Sequence, residues 1–296
     1  MTGLTARSIV RLCGAAFCLL AHAAAAGIAW IRVDFNWFMI EPARGVYDWT
    51  TTDAVVSEAR ARGLNVYATL AYTPTWANGG QGINVPPTDA GDWYRFVSTT
   101  VRRYRDRVKH WGMWNEPNLE GFFAGTLEQY LQAILWVGAQ AVRAADPHGY
   151  VLGPELAMLG SWERWLFVVL EQADDVIDIV TQHAYAETGT QVLIEMLTPR
   201  VIMLVTGTEA KEPWLTETGW DTREVSEEAQ AASYTQVLAG VEASGWLGKV
   251  FFSELVDDPA IAAEYGMLHS DLTPKPAYDA YQRHIASQAT AAAERQ

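Results

Sequence analysis

The strongest constraint on this chain is a recurrence. From Ile28 onward a short β-rich run, a polar loop and an amphipathic helical stretch follow one another again and again. The β-rich runs are IAWIRVDF (28–35), LNVYATLA (64–71), VKHWGMW (108–114), YVLG (150–153), VIDIVTQH (176–183), PWLTE (213–217) and KVFFSE (249–254). Most are continuously apolar, as parallel strands covered on both faces must be. Between them, apolar residues return at three and four: Trp93, Phe96, Val97, Val101 and Tyr104, then Leu127, Leu131 and Ile134, then Trp162, Trp165, Leu166 and Val169, then Tyr234, Val237, Leu238 and Val241. Such stripes dock helices on a sheet. Six intervals between Ile28 and Lys249 give a mean unit of about 37 residues. An uninterrupted βα alternation of that length predicts a (β/α)8 TIM barrel. A doubly wound nucleotide fold would need GxGxxG between a strand and a helix. The one Gly-rich stretch, Gly79-Gly80-Gln81-Gly82, sits in a loop.

Seven strands are visible where a closed barrel has eight, and the absent one falls before Ile28. The first β/α unit is therefore missing, or replaced by the N-terminal segment. Residues 1–26 have two readings. Arg7 and Arg11 ahead of an apolar run, with small residues at Ala23, Ala25 and Ala26, form the pattern of a secretory signal peptide, which would make the protein secreted or periplasmic. The same residues read as an Ala-rich helix stopped by Gly27, which would leave the protein cytoplasmic. Residues 27–296 read as a single catalytic domain. Cys13 and Cys18 are the only cysteines, so there is no disulfide framework. No later apolar run is long enough to span a bilayer. A net charge of −14 repels phosphate backbones and argues against a nucleic-acid partner.

Chemistry in such barrels sits at the C-terminal strand ends. The strand ending at Trp114 runs into Asn115-Glu116, and PWLTE ends on Glu217. Three repeat units separate the two glutamates, so both can project into one mouth. Two carboxylates across a cleft, one ionised and one protonated, are what retaining glycoside hydrolysis requires. Arg32 is the candidate cation for the ionised partner, and Tyr185 a candidate donor to it. Asn115 could bind a sugar 2-hydroxyl. His183, Trp76, Trp220 and Glu254 follow or end strands and are further candidates for substrate contact, the tryptophans because flat amphipathic rings suit sugar faces. The six histidines form no HExxH motif or close cluster, so no metal is expected, and paired carboxylates need no cofactor.

The motifs WNEPN (114–118) and WLTETGW (214–220) resemble those of glycoside hydrolase clan A, and the closest resemblance is to family 39. RVDFNW (32–37), IEP (40–42), GVYDW (45–49), PTWA (74–77) and HAY (183–185) resemble that group as well, in the expected order over roughly residues 27–285. The resemblance implies a (β/α)8 barrel, retention of configuration, Glu116 as acid/base, Glu217 as nucleophile, and an oligo- or polysaccharide as substrate. The sequence departs from the family at its start, and again at Phe251-Phe252-Ser253-Glu254, where many members carry a tryptophan. A second reading, of another class, is a catalytically inactive carbohydrate-binding remnant of a truncated barrel.

Overall fold

The computed structural model describes residues 12–260 and 263–293. Its elements, in chain order, are α1 (Leu12–Ala25), β1 (Trp30–Asn36), α2 (Thr50–Ala61), β2 (Asn65–Ala71), α3 (Ala90–Tyr104) and β3 (His110–Met113). A helical stretch follows. It starts as Leu127–Gln129, widens to a π-helix over Tyr130–Leu135 and continues as α4 (Trp136–Ala145). Then come β4 (Tyr150–Ala157), α5 (Trp162–Ala173), β5 (Ile179–His183), α6 (Gly189–Glu195), α7 (Leu197–Val205), β6 (Glu212–Thr218), α8 (Glu227–Ser244), β7 (Lys249–Phe252) and α9 (Pro276–Ala293).

The seven strands form one parallel sheet in the order β1-β2-β3-β4-β5-β6-β7. All seven sequence-predicted strands are present, and β4 runs four residues past the predicted YVLG. Among the described residues the sheet has seven strands, not the eight of a closed barrel. Its edge strands β1 and β7 approach each other without a ladder between them. Between them lies a cavity of about 450 Å³ whose lining includes Leu20, Val55, Asp34, Phe251, Glu254 and Tyr281.

The helices begin where local chemistry dictates. The Asp89 carboxylate accepts from Gly91 N at 2.8 Å, and Thr126 and Gln129 form a reciprocal capping box. Ser226 caps α8 by accepting from Ala229 N at 3.2 Å. Many of the tryptophans are spent on the core: Trp37, Trp93, Trp111, Trp114 and Trp214 are fully buried. Inside the sheet, Trp30, Tyr67, Trp214 and Phe251 pack against one another edge-on or tilted and plug the interior below the strand ends.

Helix α1 ends as the helical reading predicts, on Gly27 in the left-handed region (φ 79°). It packs against α2, and α9 holds it through Tyr278 Oη to His22 O (2.8 Å) and Gln282 Nε2 to Ala25 O (3.0 Å). Leu20, Ala23 and Ala26 are buried. A chain starting at Gly27 is therefore expected to lose at least ~2 kcal/mol in urea unfolding, the cost of one deleted buried leucine, without the further loss from α2 and α9. An unchanged midpoint would show that α1 adds nothing to the core. No described helix is long and apolar enough to cross a membrane.

Candidate active site

On β1 the side chains alternate, so Trp30, Arg32, Asp34 and Asn36 share one face while Ile31, Val33 and Phe35 take the other. Trp30 belongs to the aromatic plug. Arg32 and Asp34 therefore stand one and two steps nearer the C-terminal mouth. The next strands end abruptly. Tyr72 (φ 69°), Trp114 (φ 78°), Glu116 (φ 44°) and Glu155 (φ 55°) have left-handed backbone, uncommon for residues with a Cβ. Tyr72, Trp114 and Glu116 lie just past the ends of β2 and β3, and Glu155 lies within β4 at its register shift. Such backbone costs of order 1–3 kcal/mol per residue and is held only where surroundings over-determine it. Here Trp114 is fixed by its indole N–H donating to Phe122 O (2.9 Å), and Glu116 by its N–H donating to Glu155 O (3.0 Å).

The two sequence-predicted glutamates meet. Ligand-capable atoms of Glu116, His183 and Glu217 all lie within 4.8 Å of one another. His183, fully buried, has Nδ1 2.9 Å from Glu116 Oε1 and 3.4 Å from Glu217 Oε2. Arg32 donates to Glu217 Oε2 (3.2 Å) and to Asn115 Oδ1 (2.7 Å). Tyr185 Oη donates to Glu217 Oε1 at 2.5 Å. Asn115 turns its amide toward Tyr72 Oη at 3.4 Å. Arg32, His183 and Tyr185 thus converge on the glutamate pair, and Asn115 joins them through Arg32.

The electrostatics separate the acids. Burial works against ionising Glu217, but His183, Arg32 and the Tyr185 hydroxyl outweigh it and hold its carboxyl below the ordinary value. Burial also disfavours a charged His183. The carboxylates of Glu217, Glu116 and Glu155 overcome this and push the imidazole up to about 9. Glu254 lines the cavity beside Glu217. Burial, then Asp258, Glu217 and Asp257, raise its carboxyl to about 7. Burial raises Asp34 as well, against the pull of Arg32.

The two tryptophans predicted to meet sugar are placed otherwise. Trp220 is buried against Tyr234, with its indole N–H bound to Ala186 O (2.8 Å). Trp76 donates to Glu41 O (2.8 Å), packs edge-on against Trp37 and carries Arg44 over its ring at 5.0 Å. Both are engaged in packing, and neither touches the glutamate pair. Two residues of the cluster escaped the sequence reading, Glu155 and Asp34. Glu155 has no exposed side-chain surface and pairs with Arg32 at 2.7 Å. The strand-end rule that singled out Glu116 and Glu217 does not reach it, because Glu155 sits within β4 at a register shift.

The trio Glu116, His183 and Glu217 is, among the described residues, the group whose donor atoms lie closest to a metal-binding arrangement. Its chemistry does not suit an ion. His183 Nδ1 already faces Glu116 Oε1 at 2.9 Å, and Arg32 and Tyr185 already occupy both oxygens of Glu217.

A curled parallel seven-stranded sheet with covering helices and an acid pair at its C-terminal mouth defines an α/β half-barrel protein of paired-carboxylate type. Comparison with known proteins gives the particular family: residues 29–210 match the model for glycosyl hydrolases family 39, and the chain belongs to that family. It is 30% identical over 156 residues to a beta-xylosidase of Geobacillus stearothermophilus, covering 47% of this chain and 31% of that protein. It is 26% identical over 154 residues to a beta-xylosidase of Caldicellulosiruptor saccharolyticus. Among solved structures it is similar to a family 39 glycoside hydrolase from the gut symbiont Bacteroides cellulosilyticus WH2, with TM-score 0.78 and 21% identity over 91% of this chain and 60% of that one. It is also similar to a monomeric beta-xylosidase from Caulobacter crescentus CB15, with TM-score 0.74 and 20% identity over 92% of this chain and 64% of that one. The stretch aligned to the curated relatives spans about a third of their length.

Proposed function

We propose that this chain is a retaining glycosidase acting on O-glycosidic bonds, within one catalytic domain over residues 27–296. The observation that carries the reading is the pair Glu116 and Glu217, held within 4.8 Å, with His183, Arg32 and Tyr185 holding the Glu217 carboxyl below its ordinary value. Retaining enzymes keep their carboxyls about 5–5.5 Å apart, and inverting enzymes hold them farther apart to admit a water. Glu217, ionised between Arg32, His183 and Tyr185, attacks the anomeric carbon. Glu116 gives its proton to the departing oxygen, then takes one from the water that hydrolyses the glycosyl-enzyme. Asn115 and Glu254 contact sugar hydroxyls. The substrate class follows from the relatives: an oligosaccharide or aryl glycoside with a xylose-like sugar at its end. Proton NMR of the first-formed sugar tests the mechanism. Double displacement releases the anomer of the substrate, and an inverted first product would exclude it.

Residues 12–25 belong, in this reading, to the barrel wall in place of the first β/α unit's helix. The mature chain is expected to retain them in N-terminal sequencing, and a start after Ala26 would favour the export leader.

Tyr185→Phe tests the setting of Glu217. Its hydroxyl helps hold the Glu217 carboxyl down, and the nucleophile must be ionised. Removing the hydroxyl lets that pKa rise, so the acid limb of kcat/KM moves to higher pH. One hydrogen bond to a charged group is worth about 1.5–3 kcal/mol, so kcat/KM falls by about tenfold or more. An acid limb that stays put would detach Tyr185 from the nucleophile.

A further inference from the structure

We propose that Glu155 is the positioning residue of this site, a buried counter-charge that keeps His183 an imidazolium bridging Glu116 and Glu217 and keeps Arg32 aimed at Glu217. The proposal rests on the glycosidase reading of Glu116 and Glu217. Three observations carry it. First, Glu155 touches three members of the cluster, Arg32, His183 and Glu116. Its Oε2 lies 2.7 Å from Arg32 Nη2 and 3.4 Å from His183 Nε2, and its backbone oxygen accepts from Glu116 N at 3.0 Å. Second, the fold makes special room for it. A Cβ on Gly112 would stand 2.5 Å from Glu155 Oε1 and 2.7 Å from Tyr67 Oη, so only glycine leaves this space for the carboxylate. Third, its side chain is wholly buried and Oε1 has no hydrogen-bond partner. A carboxylate so placed costs several kcal/mol to bury unless cations answer it, and Arg32 and His183 are the cations beside it.

The charges then balance. The groups facing His183 are Glu116 beyond β3, Glu155 in β4, Glu217 in β6, and Asp34 with its neighbour Arg32 on β1. Tyr185 stands two residues along the chain. Two cations, Arg32 and His183, face two anions, Glu155 and Glu217, and burial works against a further charge on Asp34. The Nδ1–H of His183 donates to Glu116 Oε1 at 2.9 Å, which leaves the other oxygen of Glu116 to meet the leaving group. Once Glu116 has given up its proton, the same imidazolium steadies the new carboxylate. The high affinity of His183 for its second proton agrees with this balance.

Glu155→Gln keeps the shape and removes the charge. Without it His183 gives up its proton at lower pH, and the Glu116–His183 pair sets the alkaline limb of kcat/KM. That limb is expected to move down by about one pH unit, and kcat/KM at the optimum to fall roughly 10- to 100-fold, while the thermal midpoint shows the variant folded. Glu155→Asp, which restores the charge, should bring the limb back toward its place. A folded Glu155→Gln with an unmoved limb would overturn the proposal. Should Glu155→Gln not fold, ring-nitrogen NMR of the wild type decides. His183 must carry two protons at pH 7.5, and a neutral ring rejects the idea. Glu217→Ala separates this from the underlying reading. If Glu217 proves dispensable, the glycosidase mechanism fails. If it is essential and the alkaline limb in Glu155→Gln does not shift, the role of Glu155 alone fails.

Discussion

Glu217→Ala should reduce turnover of a 4-nitrophenyl glycoside by about 10⁴-fold or more, and azide should restore part of it. The loss is large because the side chain is the attacking atom, not a helper. Removing it leaves water to react across a gap with no general base aimed along that path. The truncation also opens a small space beside Arg32 and His183, two cations formerly paired with the carboxylate. A small anion fits that description in size and sign. Azide would displace the aryl group once, from the face Glu217 now occupies, and the product would be a glycosyl azide of inverted configuration. Wild-type protein that binds sugar but never turns it over would instead support the remnant reading.

Glu116→Gln separates substrates by their leaving groups. An alkyl or sugar leaving oxygen needs its proton in the transition state, and general acid catalysis contributes about 10²–10⁴-fold. The variant should lose that much on a disaccharide. A dinitrophenyl glycoside, whose leaving group departs as a stable anion, should form the glycosyl-enzyme at close to the parent rate. Hydrolysis of that intermediate also needs Glu116, now as base, so the intermediate accumulates and a burst of phenol precedes a slow steady state. A uniform loss across all leaving groups would mean that Glu116 acts on something other than the departing oxygen.

The strands were legible because a parallel strand covered on both faces leaves a plain mark, a run of apolar residues that stops at a polar one. The glutamate pair was legible because both members sit at such stops. Glu155 was not. YVLG looks complete at Gly153, and Pro154 reads as a terminator. The strand instead continues to Ala157 through a register shift between Pro154 and Leu156, which turns Glu155 inward. Helices α6 and α7 were passed over for a different reason. Ile194, Leu197, Val201 and Leu204 are apolar yet exposed, so the usual link between an apolar stripe and the core does not hold there. Trp220 and Trp76 show the limit of residue-type reasoning. An indole near a strand end can stack on a sugar or fill a gap, and only its surroundings decide. The segment before Gly27 was ambiguous because an export leader and a small-residue packing helix draw on the same alanines.

The bare Cα at position 112 ties two distant places in the chain to one another. A side chain there would crowd both the carboxylate at 155 and the Tyr67 hydroxyl. Across homologous sequences the two should be gained and lost as a unit. Homologues with a larger residue at 112 should carry something short and neutral at 155, and should rely on another group to answer the charge of Arg32.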